Sequence, residues 1–252
     1  MSKKLALVTG GSTGIGLGIM KKFLSSGEWN VVSISRSGKK IEYAKEELKD
    51  FDENYEFITG DILNESSLQE ILNVLSNKYY SIDSLVNCAG IIYPGGIEGL
   101  SLDDWKKSID VNLTGAFSTT QIFLEMLKAS NIPSVINISS ISSTLGGSSI
   151  AYSVSKAGMD MLTKTLAKEL SEYKIRVNSV NPGVVKSGFQ VANGIVKSED
   201  YEDFLESASK SYPFGVGRTE DIANMVFYLA SEEAEWITGS IFTVDGGRSI
   251  NI

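Results

Sequence analysis

The sequence predicts an α/β fold in which a doubly wound parallel sheet is covered by helices on both faces, forming three layers. Seven short runs of β-branched and other apolar residues alternate along the chain with longer amphipathic stretches. Such alternation implies βαβ crossovers and therefore parallel strands. Several of the runs are apolar throughout, which is typical of strands buried on both faces. We therefore expect a central sheet of seven parallel strands.

The elements follow one another from the N-terminus in alternating order. The strands are expected at residues 5–8, 31–34, 55–59, 84–87, 134–138, 176–180 and 241–244. The helices are expected at residues 14–25, 41–48, 65–77, 102–128, 151–173, 201–209 and 219–230. Because no linker, repeat or low-complexity tract divides the chain, residues 1–252 are expected to form one domain.

The composition argues against several classes of function. The formal charge of −8 disfavours general nucleic-acid binding, because that requires a positive surface. With one cysteine, Cys88, and no histidine, the chain has no internal disulfide, multi-cysteine zinc site, Ser-His-Asp triad or HExxH metal motif. The apolar run after "MSKK" is too short for a signal-peptide core, and no run is long enough to span a bilayer. We expect a cytoplasmic protein that binds neither nucleic acid nor membrane.

The first strand runs directly into a glycine-rich turn, "TGGSTGIG" at residues 9–16. Glycines there permit a tight turn and let backbone N–H groups approach a pyrophosphate at the N-terminus of the next helix. Their spacing is TGxxxGxG rather than GxGxxG, and a purely steric turn is the alternative. Strand, glycines and helix in this order predict a dinucleotide site in a Rossmann-type sheet. The residues expected to contact the cofactor here are Gly10, Ser12, Thr13, Gly14, Ile15 and Gly16.

The end of the second strand indicates which dinucleotide is bound. An NAD site would place an acidic residue about 20 residues beyond the glycines, to accept the ribose hydroxyls. Ser35 stands at that position and Arg36 follows it, with Lys39 and Lys40 close behind. A guanidinium binds a 2′-phosphate through charge-assisted hydrogen bonds, whereas an acid would repel it. We therefore predict NADP(H) rather than NAD(H), the alternative being an ordinary solvated basic loop.

Beyond these two sites the sequence resembles the classical short-chain dehydrogenase/reductase family over essentially its full length. The matching segments, in order, lie at residues 9–16, 60–62, 87–90, 111–115, 136–140, 152–156, 177–183 and 237–247. Each segment is modest evidence alone, and eight in the correct order identify the family. The resemblance implies an oxidoreductase that transfers a hydride between the nicotinamide of NADP(H) and a carbonyl or secondary alcohol.

The resemblance assigns the chemistry to "YSVSK" at residues 152–156, where Tyr152 and Lys156 match the family's catalytic tyrosine and lysine. Residues at i and i+4 share one face of a helix, so both side chains can reach one cleft. Free tyrosine, with a pKa of roughly 10, transfers protons poorly at neutral pH. A nearby ammonium and an oxidised nicotinamide are expected to lower that pKa. Tyr152 would then be the general acid or base, and Lys156 would also hold the nicotinamide ribose.

The family's catalytic serine can be placed in two ways. Ser140 matches by its position in "INISS", and Ser139 matches by the family's usual thirteen-residue spacing to the tyrosine. Adjacent strand residues face opposite sides, so only one of them can reach the site. Ser140 is favoured, and it requires a one-residue deletion in the following loop. Asn112, in "VNLTG", matches the asparagine that holds a water in a proton relay to the lysine; a polar residue satisfying an irregular helix is the alternative.

The resemblance also assigns further cofactor contacts along the strand ends. Asp61 and Ile62 would contact the adenine. In "NCAG", Asn87, Ala89 and Gly90 match, while Cys88 stands where asparagine is common. In "NPGVVKS", Ser187 replaces the threonine that contacts the nicotinamide carboxamide. The contacts expected in this last segment are Pro182, Gly183, Val185 and Ser187.

The substrate is constrained only in outline. Between Gly183 and Gly217 there is no clear strand, yet apolar residues are scattered through polar sequence, and we predict a substrate lid at residues 186–217. Its apolar residues, with Tyr93 and Pro94, favour a small-molecule carbonyl or alcohol with apolar surface, such as a 3-oxoacyl thioester, a steroid or another ketone. By resemblance, a homo-oligomer, tetramer or dimer, is expected. The alternative function is a non-catalytic NADP(H)-sensing protein on the same fold.

Overall fold

The computed structural model describes residues 3–36, 38–51, 54–147 and 149–250. Seven strands form one sheet in the order β3-β2-β1-β4-β5-β6-β7, and every neighbouring pair is parallel. The strands are β1 Lys4–Thr9, β2 Trp29–Ser35, β3 Tyr55–Thr59, β4 Ser84–Asn87, β5 Ser134–Ile138, β6 Arg176–Pro182 and β7 Ile241–Val244. The predicted fold class is confirmed, with β1, β2 and β6 longer than the sequence indicates.

Helices connect the strands and cover both faces of the sheet. Those before β5 are α1 Gly14–Ser25, α2 Gly38–Glu47, α3 Glu65–Lys78, α4 Leu102–Ile109, α5 Gly115–Ile122 and α6 Leu124–Lys128. Those after β5 are α7 Ser142–Leu145, α8 Ile150–Glu169, α9 Phe189–Ala192, α10 Tyr201–Ser209 and α11 Thr219–Ala230. Short 3₁₀ turns lie at Leu170–Tyr173, Ser198–Asp200, Glu232–Ala234 and Arg248–Ile250.

The prediction of one continuous helix at residues 102–128 is wrong. A π-helical turn, Asp110–Thr114, separates α4 from α5, and Phe123 leaves helical geometry at φ −92° and ψ 8° between α5 and α6. The predicted helix at 151–173 likewise gives way to a 3₁₀ turn after Glu169. An apolar periodicity near 3.6 continues through such local irregularities, so the sequence does not reveal them.

The five central strands are almost fully buried, whereas the edge strands β3 and β7 are only partly buried, and alternate residues of a central strand enter different cores. In β1, Ala6 and Val8 belong to the core beneath α1 and α11, whereas Leu5 and Leu7 belong to the core on the opposite face. These side chains are at most 2% exposed. Burial of apolar area on both faces is the main stabilising contribution to such a sheet.

The strand order reverses between β1 and β4. From β1 the chain winds through β2 to β3 on one side, and then crosses to β4 on the other. Loops at the carboxyl ends of β1 and β4 therefore diverge and leave a crevice, which is where open α/β sheets bind ligands. Among the described residues, no helix is both long enough and apolar enough to cross a membrane.

Candidate active site

A cleft of about 1190 Å³ runs along the carboxyl ends of the strands, from the end of β2 to the segment between β6 and α11. Pockets for a single drug-sized ligand are roughly 300–1,000 Å³, so this cleft has room for a dinucleotide and a second molecule. Predicted site residues line most of its length. They are Gly10, Ser12, Thr13, Gly14, Ile15, Gly16, Arg36, Asp61, Ile62, Ala89, Gly90, Ser140, Tyr152, Lys156, Pro182, Gly183, Val185 and Ser187.

The glycine-rich turn lies at the centre of this cleft. Gly10 and Gly14 adopt φ values of +74° and +56°, in the left-handed region that favours glycine. A Cβ on Gly10 would lie 3.0 Å from Ala89 Cα, so the loops after β1 and β4 are in close contact. Thr13 precedes α1 without a side-chain capping bond, and the first turn of α1 contains no acidic residue. The positive end of α1 therefore has no local counter-charge, which fits a bound pyrophosphate.

At the end of β2, the position of the acid expected in an NAD site is neutral and turned inward. The hydroxyl of Ser35 is 3.1 Å from that of Ser33, which in turn accepts a hydrogen bond from the Gly11 N–H at 3.0 Å. Arg36 is exposed and lines the cleft together with Lys40. The positive groups at this end fit a phosphate on the ribose.

The exit of β4 is fixed to β1 by one hydroxyl. Thr9 Oγ1 accepts hydrogen bonds from the backbone N–H groups of Cys88 at 3.0 Å and Ala89 at 3.1 Å. Burial raises the pKa of the Cys88 thiol to about 12, so a reactive thiolate is not expected.

Asn87 is not among the residues that line the cleft, and its assignment as a cofactor contact stays a prediction. Its side-chain amide is buried and donates to Thr120 Oγ1 at 3.2 Å and Asn137 Oδ1 at 2.9 Å. Asn87 is the last residue of β4, and its side chain contacts α5 and β5 through these two hydrogen bonds. It links β4 to its neighbours, which is a structural role.

Tyr152 and Lys156 lie one turn apart on α8, and both line the cleft. Lys156 Nζ donates to the Ile138 carbonyl at 2.7 Å and lies 5.6 Å from the centre of the Tyr152 ring. The lysine side chain is almost fully buried. Burial lowers the pKa of Lys156 to about 8, and electrostatic interactions with Cys88 and Asp160 oppose that shift.

The expectation that the Tyr152 pKa is lowered is wrong for the protein alone. Burial raises the pKa of Tyr152 to about 12, and a hydrogen bond with Ser140 opposes the shift only in part. Desolvation disfavours the tyrosinate more than neighbouring polar groups favour it. Tyr152 therefore holds its proton throughout the neutral range.

The two candidate serines have different partners. The Ser140 hydroxyl accepts from the Ser142 N–H at 3.1 Å, and its interaction with the Tyr152 phenol lowers the pKa of that phenol in part. Ser139 Oγ instead donates to the Lys156 carbonyl at 3.0 Å, within the backbone of α8. Both serines line the cleft, and of the two it is Ser140 that acts on the tyrosine. Ser148, in the loop where the deletion was expected, lies outside the described residues.

Asn112 lies in the π-helical turn and is fully buried. Its Oδ1 accepts from the Ile91 N–H at 2.8 Å, and its Nδ2 donates to the Ile91 carbonyl at 2.9 Å and to Ser155 Oγ at 3.0 Å. The side chain thus fixes the loop after β4 against α8. A Cβ on Gly90 would lie 3.4 Å from Asn112 Oδ1 and 3.8 Å from Lys156 Nζ, so the two side chains border the same space.

Asp61 and Ile62, predicted to contact the adenine, line the cleft after β3 and are held in different ways. Asp61 Oδ1 accepts from the Leu63 N–H at 3.0 Å, which holds the turn after β3. Ile62 is buried, and a Cβ on Gly115 would collide with its side chain. The turn and the buried isoleucine together form a rigid wall.

The predicted lid begins directly over the glycine-rich turn. A Cβ on Gly14 would be 3.1 Å from the Ser187 carbonyl oxygen. The ring of Phe189, in α9, lies 6.1 Å from the ring of Tyr152. Asn193 Oδ1 accepts from the Ile92 N–H at 3.2 Å, so α9 also meets the loop after β4. This segment covers the space in front of Tyr152 with apolar surface.

The sequence analysis missed a polar cluster behind Ser140. Asp160, in α8, accepts a hydrogen bond from Asn181 Nδ2 at 2.9 Å, and Asn181 Nδ2 also lies 3.2 Å from the Ser140 carbonyl oxygen. The available signal was the spacing of Tyr152, Lys156 and Asp160, which recur every fourth residue and so share one helix face.

The buried lysine gives a stability prediction. Unfolded lysine has a pKa of about 10.4, so below pH 8 Lys156 is protonated in both states and its burial opposes folding. That penalty falls as the pH rises from 8 towards 10.5, because the native state loses its proton first. Relative to Lys156→Met, the wild type should gain about 2 kcal/mol of unfolding free energy between pH 7 and 9.5.

Urea unfolding of both proteins at the two pH values measures this difference. Groups common to the two proteins, such as Cys88 and Tyr152, largely cancel in the comparison. A pH-independent difference between wild type and Lys156→Met would show that Lys156 titrates normally in the folded protein.

Comparison with known proteins agrees with this geometry. A family described as enoyl-(acyl carrier protein) reductase matches residues 10–249. The chain is 34% identical to the 3-oxoacyl-[acyl-carrier-protein] reductase FabG of Aquifex aeolicus, over 97% of this chain and 96% of that protein. It is 32% identical to the NADP-dependent (R)-specific alcohol dehydrogenase of Lentilactobacillus kefiri, with the same two coverages.

A solved structure shares the same fold at similar length. The Pseudomonas aeruginosa RhlG/NADP active-site complex superposes with a TM-score of 0.87 and 30% sequence identity, covering 98% of this chain and 97% of that one. Sequence and fold agree over nearly the whole chain. The chain therefore belongs to the short-chain dehydrogenase/reductase family of oxidoreductases.

Proposed function

We propose that the protein is an NADP(H)-dependent oxidoreductase that interconverts a carbonyl and a secondary alcohol, with Tyr152 as general acid and base. One observation carries the proposal: Tyr152 and Ser140 line the same cleft, Tyr152 lies one turn from the buried Lys156, and the cleft continues to the glycine-rich turn. The relative from Lentilactobacillus kefiri is described as NADP-dependent, and RhlG was solved with NADP, which supports the cofactor.

The residues of the cleft fit NADP(H) from end to end. Arg36 would hold the 2′-phosphate, the uncapped start of α1 the pyrophosphate, and Asp61 and Ile62 the adenine. Lys156 and Tyr152 would hold the nicotinamide ribose, with Ser187 and Val185 against the carboxamide. NADPH, when bound, supplies a hydride. The remaining work, which is to position the substrate and to move a proton, falls to this chain.

In the reducing direction, Ser140 orients the substrate carbonyl oxygen by a hydrogen bond, and Tyr152 donates its proton to that oxygen. A pKa of about 12 keeps the proton on Tyr152 at neutral pH, which suits the acid role. The Lys156 ammonium, whose pKa is about 8, stabilises the tyrosinate that is left behind. In the oxidising direction the same groups act in reverse.

We infer that the substrate is uncharged and partly apolar near its reacting carbon. The cleft in front of Tyr152 is lined by Tyr93 and by residues of the lid such as Phe189 and Ile195. Apolar walls of this kind favour a ketone with a hydrocarbon or aromatic group. A 3-oxoacyl thioester and a steroid ketone both fit that description.

The sequence predicts a cytoplasmic homo-oligomer, and we propose the same here. Apolar side chains on the helices beside Asn112 and Tyr152 are exposed in the single chain: Phe117 of α5 is 44% exposed, and Val154 and Met161 of α8 are 44% and 61% exposed. Exposed apolar surface on neighbouring helices is typical of a subunit interface.

The two serines provide a test of the site. We expect Ser140→Ala to lower kcat by about 100-fold, because it removes a hydrogen bond to the reacting oxygen. Ser139→Ala is the matched control: it deletes the same atom from the neighbouring residue, whose hydroxyl bonds the backbone of α8. Steady-state kinetics of both variants measure the effect. A larger loss in Ser139→Ala would reverse the assignment.

The function itself is tested by following oxidation of NADPH and NADH with a panel of carbonyl compounds. The panel contains a 3-oxoacyl thioester, a keto-steroid, an aromatic ketone and a keto-sugar. Turnover with NADPH, together with confirmed binding of NADPH, is expected. If NADPH binds but neither the compounds of the panel nor larger ketones are reduced, the alternative of an NADP(H)-sensing protein is favoured.

A further inference from the structure

A connected set of polar groups lies behind Ser140, on the side away from the cleft. Asn181, in β6, is 2% exposed and has three partners on its Nδ2 atom: the Ser140 carbonyl at 3.2 Å, Ser143 Oγ at 3.0 Å and Asp160 Oδ2 at 2.9 Å. Its Oδ1 accepts from Ser179 Oγ at 2.8 Å. Every hydrogen-bonding atom of the Asn181 side chain is therefore engaged.

The carboxylate of Asp160 fixes the orientation of that amide. Because Oδ2 can only accept, the Asn181 atom that faces it must be the nitrogen, which then also reaches Ser140. Ser179 Oγ also lies 3.3 Å from Asp160 Oδ1, so its one proton can be donated either to that oxygen or to Asn181 Oδ1. The chain of contacts runs from α8 through β6 to the turn that carries Ser140.

The charge of Asp160 has a second effect, on Lys156. The two residues are four apart on α8 and so lie on the same face. Lys156 donates to a neutral carbonyl, that of Ile138, rather than to a carboxylate. The Cys88 thiol also acts on the pKa of Lys156, but it is protonated and uncharged at neutral pH, and the Tyr152 ring lies 5.6 Å from the ammonium. Asp160 is the carboxylate whose charge raises the pKa of Lys156.

We propose that Asp160 is a positioning residue, which holds the Ser140 turn through Asn181 and supplies the counter-charge for the buried Lys156 ammonium. The part that concerns catalysis rests on the function proposed above. The electrostatic part does not, because it concerns only the coupling between two charges within the folded chain. The two parts can therefore be tested separately.

The electrostatic part is tested by a double-mutant cycle of stability, which needs no substrate. Asp160→Asn removes the charge and keeps an oxygen that can accept from Asn181. At pH 7, Asp160→Asn should raise the equilibrium constant for unfolding by a factor that is about tenfold larger in the wild type than in the Lys156→Met background. At pH 9.5, where Lys156 is mostly neutral, this difference should vanish. Equal effects in both backgrounds at pH 7 would overturn the proposal that Asp160 is the counter-charge of Lys156.

The catalytic part is tested by the pH dependence of turnover. In a plot of turnover against pH, deprotonation of Lys156 sets the falling alkaline limb. Loss of the negative charge in Asp160→Asn should move that limb about one pH unit lower. Asp160→Glu, which keeps the charge, should leave that limb in place. Glu169→Gln removes an exposed charge from the same helix and should have no effect on either measurement.

The outcomes separate the possible failures. A lower kcat with an unmoved limb would overturn the electrostatic role in catalysis and leave Asp160 as a purely structural residue. If the wild type binds NADPH but turns over no substrate, the proposed function fails, while the stability cycle still decides the coupling of Asp160 with Lys156.

Discussion

Replacing Tyr152 with phenylalanine should reduce turnover by about 1,000-fold, because a positioned proton donor contributes roughly 10²–10⁴-fold. The ring remains, so its packing against Phe189 and the shape of the cleft should be preserved. NADPH binding should change little, since most cofactor contacts lie elsewhere along the cleft. Single-turnover kinetics with saturating NADPH, beside fluorescence titration of NADPH, measure both quantities.

Tyr173→Phe is the matched control for this experiment. That tyrosine follows α8, is 41% exposed, and has its ring against Lys128 at 4.1 Å. The same oxygen is deleted there, far from the cleft, and activity should be unaffected. Turnover retained by Tyr152→Phe would remove the tyrosine as proton donor, whatever the behaviour of the control.

The pKa values of the tyrosine and the lysine give the two reaction directions different pH dependences. Tyr152, with a pKa of about 12 in the protein alone, is protonated at neutral pH and ready for reduction. Oxidation requires the tyrosinate, so its rate should rise with pH. An ammonium at Lys156 and a positive nicotinamide would both favour the tyrosinate, and the lysine loses its charge above pH 8. At neutral pH the protein alone therefore holds Tyr152 in the protonated form that the proposed reduction requires.

The sequence predicted the elements that repeat a simple pattern and missed those that depend on distant contacts. The seven strands and the order of the motifs follow from apolar runs and glycines, which are local signals. The π-helical turn is different, because Asn112 is held there by Ile91 and Ser155, both far away in sequence. Propensity and periodicity carry no information about such partners.

The site shows the same division at the level of single residues. Motif position favoured Ser140 and the spacing to the tyrosine favoured Ser139, and the different partners of the two serines become visible only in three dimensions. The inward direction of Asn87 and the raised pKa of Tyr152 were also beyond the sequence, since both depend on burial. The prediction of cofactor preference required no such knowledge, because it depends on two consecutive residues at the end of β2, the neutral Ser35 and the basic Arg36.

Arg36 at that strand end gives the last prediction. Arg36→Asp should lower the ratio of kcat/KM for NADPH to that for NADH by about 100–1,000-fold. Loss of charge-assisted hydrogen bonds to the 2′-phosphate accounts for roughly 1.5–3 kcal/mol, and repulsion by the new carboxylate adds to it. The carboxylate can also accept hydrogen bonds from the free ribose hydroxyls of NADH.

Lys39→Asp makes the identical charge change three residues away, on a side chain that is exposed and does not line the cleft. If a general positive field attracted the phosphate, both variants would lose preference for NADPH to a similar degree, and more so at low ionic strength. A direct contact predicts a large loss in Arg36→Asp alone, which persists at high salt. An unchanged ratio in Arg36→Asp would show that this residue does not bind the 2′-phosphate, and selection for NADPH would then have to come from other basic side chains that line the cleft, such as Lys40.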